Sequence, residues 1–249
     1  MNENEGNRMS ARDSSRFVIR VLRSRLRDHK VELSELRRYI RPGDIVCDIG
    51  ANKGSFLYWL ARWAKPGRVV AFEPQPQLAK QLAGLCATFS IDNVTVEQAA
   101  VFSSSDRRNL FIPDGHQPAA SLLKPDGPFE AVSTRTIALD DYFTEADKVA
   151  AIKIDVEGAE LDVLQGARRT LARCMPLVVC ECDRHNSSLD RINATFSFFS
   201  DLGYAGRFVS GSTLLPLSEF RADIHQNTHG EWFWKKKGYC NNFIFRMPT

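Results

Sequence analysis

Residues 46–54, VCDIGANKG, set a carboxylate, Asp48, inside a glycine-bearing turn that follows an apolar run. Gly50 and Gly54 allow a backbone to come close to a ligand. Such a turn, opening a helix, commonly cradles phosphate on its N–H groups, but Asp48 argues against that here. The dinucleotide turn reads G-x-G-x-x-G, and a carboxylate a few ångströms from a pyrophosphate is repelled in a poorly screened crevice. The same carboxylate suits a ligand with an ammonium, a sulfonium and no phosphate, a description that S-adenosylmethionine meets. Asp48 is expected to hold the ammonium, directly or through water, with Gly50 and Gly54 admitting the methionine portion. Glu73, in VVAFEP, ends the next apolar run, about 20 residues past the turn, where an acid accepts ribose hydroxyls. NAD sites share that acid, so Glu73 alone does not choose between the two cofactors.

A second constellation is KIDVEGAE, with Lys153, Asp155, Glu157 and Glu160, and a third is CECDRH, with Glu181, Asp183 and His185. Methyl transfer from a sulfonium to an alcohol is an in-line displacement. It needs the nucleophile aligned behind the methyl, water excluded and, ideally, the hydroxyl proton removed. Asp155 falls at the end of a strand, next to the expected methyl position, and Glu157 at the start of the following turn. Lys153 alternates with Asp155, and on the same side it would keep that carboxylate ionised. His185 is a candidate base because its ordinary pKa lies near neutrality. Asp155 and Glu157 are alternatives that would orient the acceptor hydroxyl, and Glu181 shares their rim. Asp155 with Glu181 or Asp183 would also offer hard oxygen ligands to a Mg²⁺. Zinc is not expected. Cys180 and Cys182 lack two further convergent ligands, and His225 and His229, four apart, have no Glu between them and sit in a helix-poor context. Trp232, Phe233 and Trp234 precede three lysines, a composition that fits either a lid or acceptor wall or burial against the sheet.

These residues must be positioned by alternating elements. Apolar strand-like runs at 44–50, 67–74, 93–101, 149–156 and 176–183 alternate with helical stretches at 54–64, 76–89, 159–173 (interrupted by Gly166) and 187–201, and final strands are expected at 203–209 and 241–246. Near-continuous apolar strands separated by helices predict a parallel sheet covered on both faces. Ligands in such sheets lie beyond the carboxyl ends of the strands, where all three constellations fall. The spacing predicts a polar, disordered tail over 1–13, one amphipathic helix over 14–40 and a single domain over 41–249. Residues 108–137 read as a less regular excursion and 210–240 as a long irregular insertion, both expected to shape the acceptor pocket.

The runs VCDIGANKGSFLYWLA, GRVVAFEPQPQ, NVTVEQAAV and AAIKIDVEGAELDVLQGA together resemble the FkbM family of class I S-adenosylmethionine-dependent methyltransferases. The likeness spans about residues 41–181. It implies a Rossmann-like α/β fold with a mostly parallel seven-stranded sheet, helices on both faces and an added N-terminal helix. It implies O-methylation of a hydroxyl on a sugar, polyketide or related small molecule. By position it places Asp48, Gly50, Asn52, Gly54 and Glu73 on the cofactor, with Gln98 and Ala99 near the adenine.

Composition excludes several other classes. The net charge of +3 over 249 residues does not signal wholesale polyanion binding. No apolar run approaches the roughly 20 residues of a membrane span, and the polar N-terminus is not a secretory signal. With six cysteines and no C-x-x-C pair, reduced thiols and a cytoplasmic setting are expected. A nicotinamide oxidoreductase is disfavoured by the missing middle glycine and by Asp48. An RNA-binding protein or RNA methyltransferase would use the arginine-rich helix, but the chain has neither an N/D-P-P-Y/F turn nor a Pro-Cys pair. The same helix could face an acidic membrane, or simply cover one end of the sheet. A cofactor-binding protein without catalysis is disfavoured by Asp155 and Glu157.

Overall fold

The structure, a computed structural model, describes residues 9–113, 120–125 and 127–248. Residues 1–8 of the expected tail, and 114–119 and 126 of the expected excursion, lie outside the described residues. Five parallel strands form the centre: β1 (Ile45–Ile49), β2 (Arg68–Phe72), β3 (Val94–Glu97), β7 (Val149–Ile154) and β8 (Leu177–Glu181). Between β3 and β7 run β4 (Ala100–Val101), β5 (Arg107–Pro113) and β6 (Phe129–Ile137). After β8 come β9 (Ala205–Ser210), β10 (Thr213–Pro216) and β11 (Asn242–Arg246). The main sheet has the order β10-β9-β11-β8-β7-β1-β2-β3, and β11 lies antiparallel to both of its neighbours.

Alternation along each strand supplies two cores. On one face Val46, Val69, Ala71, Ala151, Leu177 and Val179 pack under α1 (Ala11–Arg23), α2 (Lys30–Tyr39), α3 (Leu57–Ala64) and α4 (Pro76–Thr88). On the other, Cys47, Ile49, Val70, Ile152, Val178 and Cys180 pack under α6 (Glu160–Gln165), α7 (Arg168–Cys174) and α8 (Leu189–Asp201). The short helices α5 (Leu139–Tyr142) and α9 (Ala222–His225) close loops. Local chemistry marks the ends: Ser10 caps α1 by accepting the Asp13 N–H, Pro76 opens α4, and Met175 ends α7 in the left-handed region at φ 49°.

The architecture departs from the sequence reading at four places. The helix expected over 14–40 begins at Ala11 and is two helices, separated by a π-turn over Ser24–Asp28. The single strand expected over 93–101 divides at Gln98, so that β3 and β4 belong to different sheets. The excursion is regular at its edges, where β5 and β6 form an antiparallel pair and β4 adds parallel to β6. The main sheet has eight strands rather than seven, because β10 pairs with β9 inside the stretch read as an insertion. Among the described residues no helix is long and apolar enough to cross a membrane.

Candidate active site

A cleft opens at the carboxyl ends of β1, β2 and β7 and holds about 580 Å³ of atom-free space, its mouth included. Its walls are Gly50 and Asn52 of the glycine turn, Glu73 to Gln75 after β2, Ala99 and Ala100, Asp155 to Glu157 after β7, and Ser121 and Leu122 from the β5–β6 connection. Gly50 takes φ 71°, and a side chain there would put its Cβ 1.8 Å from the Asp155 carbonyl oxygen. Only glycine lets the turn lie against β7 so closely. Asn52 also has positive φ, 48°, and its N–H donates to Glu73 Oε2 at 2.8 Å. Glu73 Oε1 accepts the Gln75 N–H at 3.0 Å. Two backbone donors thus fix the Glu73 carboxylate at the cleft wall, though burial still raises its pKa.

Asp48 is not on that wall. It is fully buried behind the turn, and neither of its oxygens has a hydrogen-bond partner among the described residues. Its only counter-charge there is Lys153 Nζ at 3.5 Å, which also lies 3.4 Å from Asp155 Oδ2 and donates to the Gly50 carbonyl at 2.7 Å. The strand register explains this: Asp48 and Lys153 are direct partners across β1 and β7 and point to one face. Asp48, expected to hold the ammonium directly or through water, thus faces Lys153 from behind the turn and is not among the residues of the cleft wall. Burial raises the Asp48 pKa despite Lys153. For Lys153, burial disfavours the charge, but Asp155, Asp48 and Glu181 outweigh it and its pKa is raised.

The other expected residues divide. Asp155 and Glu157 line the cleft, as do Gly50, Asn52, Glu73 and Ala99. Gly54, at φ 76°, instead meets Leu82, Leu85 and Phe17 behind the turn. Gln98 is exposed and off the cleft, because the chain folds back through an Ala99 N–H to Glu97 carbonyl bond that turns Ala99 inward and Gln98 out. Glu181 is also off the wall; it accepts a hydrogen bond from Asn241 Nδ2. His185 is exposed at the rim and stacked on Trp234, with ring centroids 3.6 Å apart. Asp183 Oδ1 accepts the N–H groups of His185 and Asn186 and so builds the turn. These commitments leave the Mg²⁺ expectation without support: among the described residues no three His, Cys, Asp or Glu side chains converge as a metal site. His225 Nδ1 accepts the Arg221 N–H while its ring lies against Phe208 and Phe220, and His229 is exposed.

Sequence reasoning missed the fasteners. Ser121 Oγ donates to the Glu157 carbonyl at 2.7 Å, and Asn186 Nδ2 donates to Glu157 Oε2 at 2.6 Å. Both lie far from Glu157 in sequence, in stretches that carry no recognisable signal. They hold Glu157 at φ 53°, a left-handed conformation that a side chain rarely adopts. Burial, then repulsion from Asp155 and Asp183, pushes Glu157 up to about 8. Burial pushes Glu160 up to about 7, although its Oε1 accepts the Gly158 N–H.

Glu160 carries a pH prediction. Its carboxyl holds a proton more tightly folded than unfolded, so its contribution to stability is present below about pH 4.5 and is lost as pH rises through about 7. Glu160→Gln, which keeps the acceptor for Gly158, is expected to match the parent at pH 4. At pH 8 it is expected to exceed the parent by about 2 kcal/mol. Urea unfolding across that range measures it, and equal stability at pH 8 would contradict the assignment.

An open, mostly parallel sheet with an antiparallel strand between β8 and β9, and a cleft at the strands' carboxyl ends, is the class I methyltransferase fold. Residues 48–205 match the methyltransferase FkbM domain, and the chain belongs to that family of methyltransferases. It is 27% identical over 175 residues to the 2-O-methyltransferase NoeI of Sinorhizobium fredii, a match covering 62% of this chain and 69% of NoeI. It is 31% identical over 160 residues to the 31-O-demethyl-FK506 methyltransferase FkbM of Streptomyces tacrolimicus, covering 51% of this chain and 60% of that protein. In fold it is similar to a methyltransferase FkbM from Methylobacillus flagellatus, with TM-score 0.52, 16% identity and coverage of 98% of this chain and 56% of that one. A putative methyltransferase from Streptococcus mutans in complex with SAH has TM-score 0.52 at 12% identity, covering 88% and 97%. The chain thus spans less than two thirds of the Streptomyces and Methylobacillus proteins.

Proposed function

We propose that this chain uses S-adenosylmethionine to methylate a hydroxyl of a small molecule. One observation carries the reading: the described cleft wall bears three carboxyl side chains, Glu73, Asp155 and Glu157, the last of them pushed up to about 8, and no Lys, Arg or His. A pyrophosphate would meet repulsion there, whereas a donor with an ammonium and a sulfonium would meet attraction. The residues fit such a group. Gly50, with no Cβ, lets the turn lie against the Asp155 backbone so that both border the cleft, and the Glu73 oxygens, each holding one backbone N–H, retain lone pairs for ribose hydroxyls. When bound, the donor supplies an electrophilic methyl on its sulfonium.

The remaining work falls to this chain's own side chains. Asp155, steadied by Lys153 at 3.4 Å, would orient the acceptor hydroxyl. Glu157, pushed up to about 8, has the basicity to take the hydroxyl proton as the new bond forms. Trp232, 58% exposed, together with Trp234 and Lys235 forms a ledge beside His185 on which a flat or ring-shaped acceptor would rest. The hydroxyl acceptor draws support from two relatives named for O-methylation.

Calorimetry with S-adenosylhomocysteine and NADH tests the cofactor, and tritiated methyl transfer to a panel of hydroxylated metabolites tests the acceptor. Binding of S-adenosylhomocysteine alone is expected. Glu157→Gln is expected to keep that affinity and lower kcat by about 100-fold or more. Binding of NADH alone, or full turnover by the variant, would overturn the respective assignment.

A further inference from the structure

We infer that helix α1 and the π-turn after it seat this protein on an anionic membrane surface. Helix α1 presents three faces. One, with Phe17 and Val21, is buried against the domain, where the Trp59 indole N–H donates to the Val21 carbonyl. Around from it lie Val18, Ile19, Leu22 and, in the following turn, Leu26, exposed by 42, 64, 48 and 72%. The four-residue spacing aligns Val18, Leu22 and Leu26 in one row with Ile19 beside it. The third face carries Arg12, Arg16, Arg23 and Arg27, all exposed. Arg16 and Arg20 continue into a groove against α4 that also holds Lys53 and Lys80. Carboxylates offset only part of this charge: Asp28 pairs with Arg23 at 2.8 Å and Arg27 at 2.7 Å, and Asp13 with Arg16 at 3.9 Å.

Single exposed apolar side chains are ordinary, but a contiguous row bordered by arginines is not. An RNA would engage the arginines and leave the leucines in water. A second copy would bury the leucines but bring two arginine rows together, and like charges across an interface are costly. An anionic bilayer satisfies both faces, since the apolar row enters the acyl boundary while the guanidinium groups meet phosphates. Arg20 donates to the Lys53 carbonyl and Ser24 to the Ser55 carbonyl, so seating α1 also holds the glycine turn close to the bilayer.

The test is co-sedimentation of the full chain with phosphatidylcholine vesicles, with and without about one third phosphatidylglycerol. Binding is expected only to the anionic vesicles and is expected to weaken with salt. The double variant Leu22→Ser/Leu26→Ser is expected to bind at least tenfold more weakly, and Arg23→Gln or Arg27→Gln about fivefold more weakly each. The Tm of each variant should stay that of the parent, because all four side chains are exposed. Absence of anionic-vesicle binding overturns the inference, as does undiminished binding by the leucine variant. RNA binding indifferent to the leucines, or a leucine-dependent dimer, in either case without vesicle binding, overturns it in favour of those partners.

Discussion

Gly50→Ala is expected to abolish S-adenosylhomocysteine binding and to cost on the order of 4 kcal/mol of stability. The added Cβ would lie 1.8 Å from the Asp155 carbonyl oxygen and 3.0 Å from its carbon. Neither atom can yield cheaply, because β1 and β7 are held in register there and the Asp155 N–H donates to the Ile49 carbonyl at 3.1 Å. The backbone at Gly50, φ 71°, adds its own strain for any L side chain. Relief would push the turn away from β7 and widen the cleft at the point where Asp155 enters it. Gly54→Ala provides the comparison. Its φ of 76° is similar, but its nearest obstacle is the flexible Leu82 side chain at 3.1 Å, so a loss of about 1 kcal/mol is expected. Equal losses in urea unfolding would show that backbone strain alone, and not the close approach to β7, governs Gly50.

Lys153→Met is expected to destabilise the protein by about 3–5 kcal/mol at neutral pH, because it strands Asp48 as a buried carboxylate without a counter-charge. The loss should depend on pH. Removing the cation lifts the folded-state pKa of Asp48 further above its unfolded value of 3.8, so the penalty is small below about pH 4 and grows as pH rises. The double variant Asp48→Asn/Lys153→Met should recover much of the loss, since no buried charge then remains. A Lys153→Met protein as stable as the parent at pH 7, or a double variant no better than the single one, would show that the pair is not coupled. By the same reasoning Asp48→Ala would leave Lys153 buried with one anion fewer, so it is expected to lower stability as well as any affinity for cofactor.

The parallel strands are legible in the sequence because VVAF, AAIKI and LVVC are buried on both faces and so read as near-continuous apolar runs, broken only by Lys153. β10 is not legible: Thr-Leu-Leu-Pro carries no alternation, and its strand exists only through pairing with β9. The break at Gln98 is hidden for a related reason, since VEQAAV has neither Pro nor Gly and the division is imposed by two different sheets. At the site, residue types and spacing point to Glu73, Asp155 and Glu157 because they end strands that share one rim. The orientation of Asp48 is not legible in the sequence. Its side chain faces Lys153, and only strand register, a tertiary property, makes those two neighbours. The Asn186 and Ser121 bonds that set Glu157 are likewise tertiary, and nothing local in RHNSS or AASLL announces them.

The placement of β11 has a consequence for biosynthesis. Residues 242–246 lie between β8 and β9, so the strands at 205–210 and 213–216 have no partner on the sheet until that later segment has been made and has cleared the ribosome. Nascent chains stalled before residue 242 should therefore expose an unpaired edge at β8 and behave as ligands for chaperones. Protease resistance of the 205–216 region should then arise only after translation has passed this point.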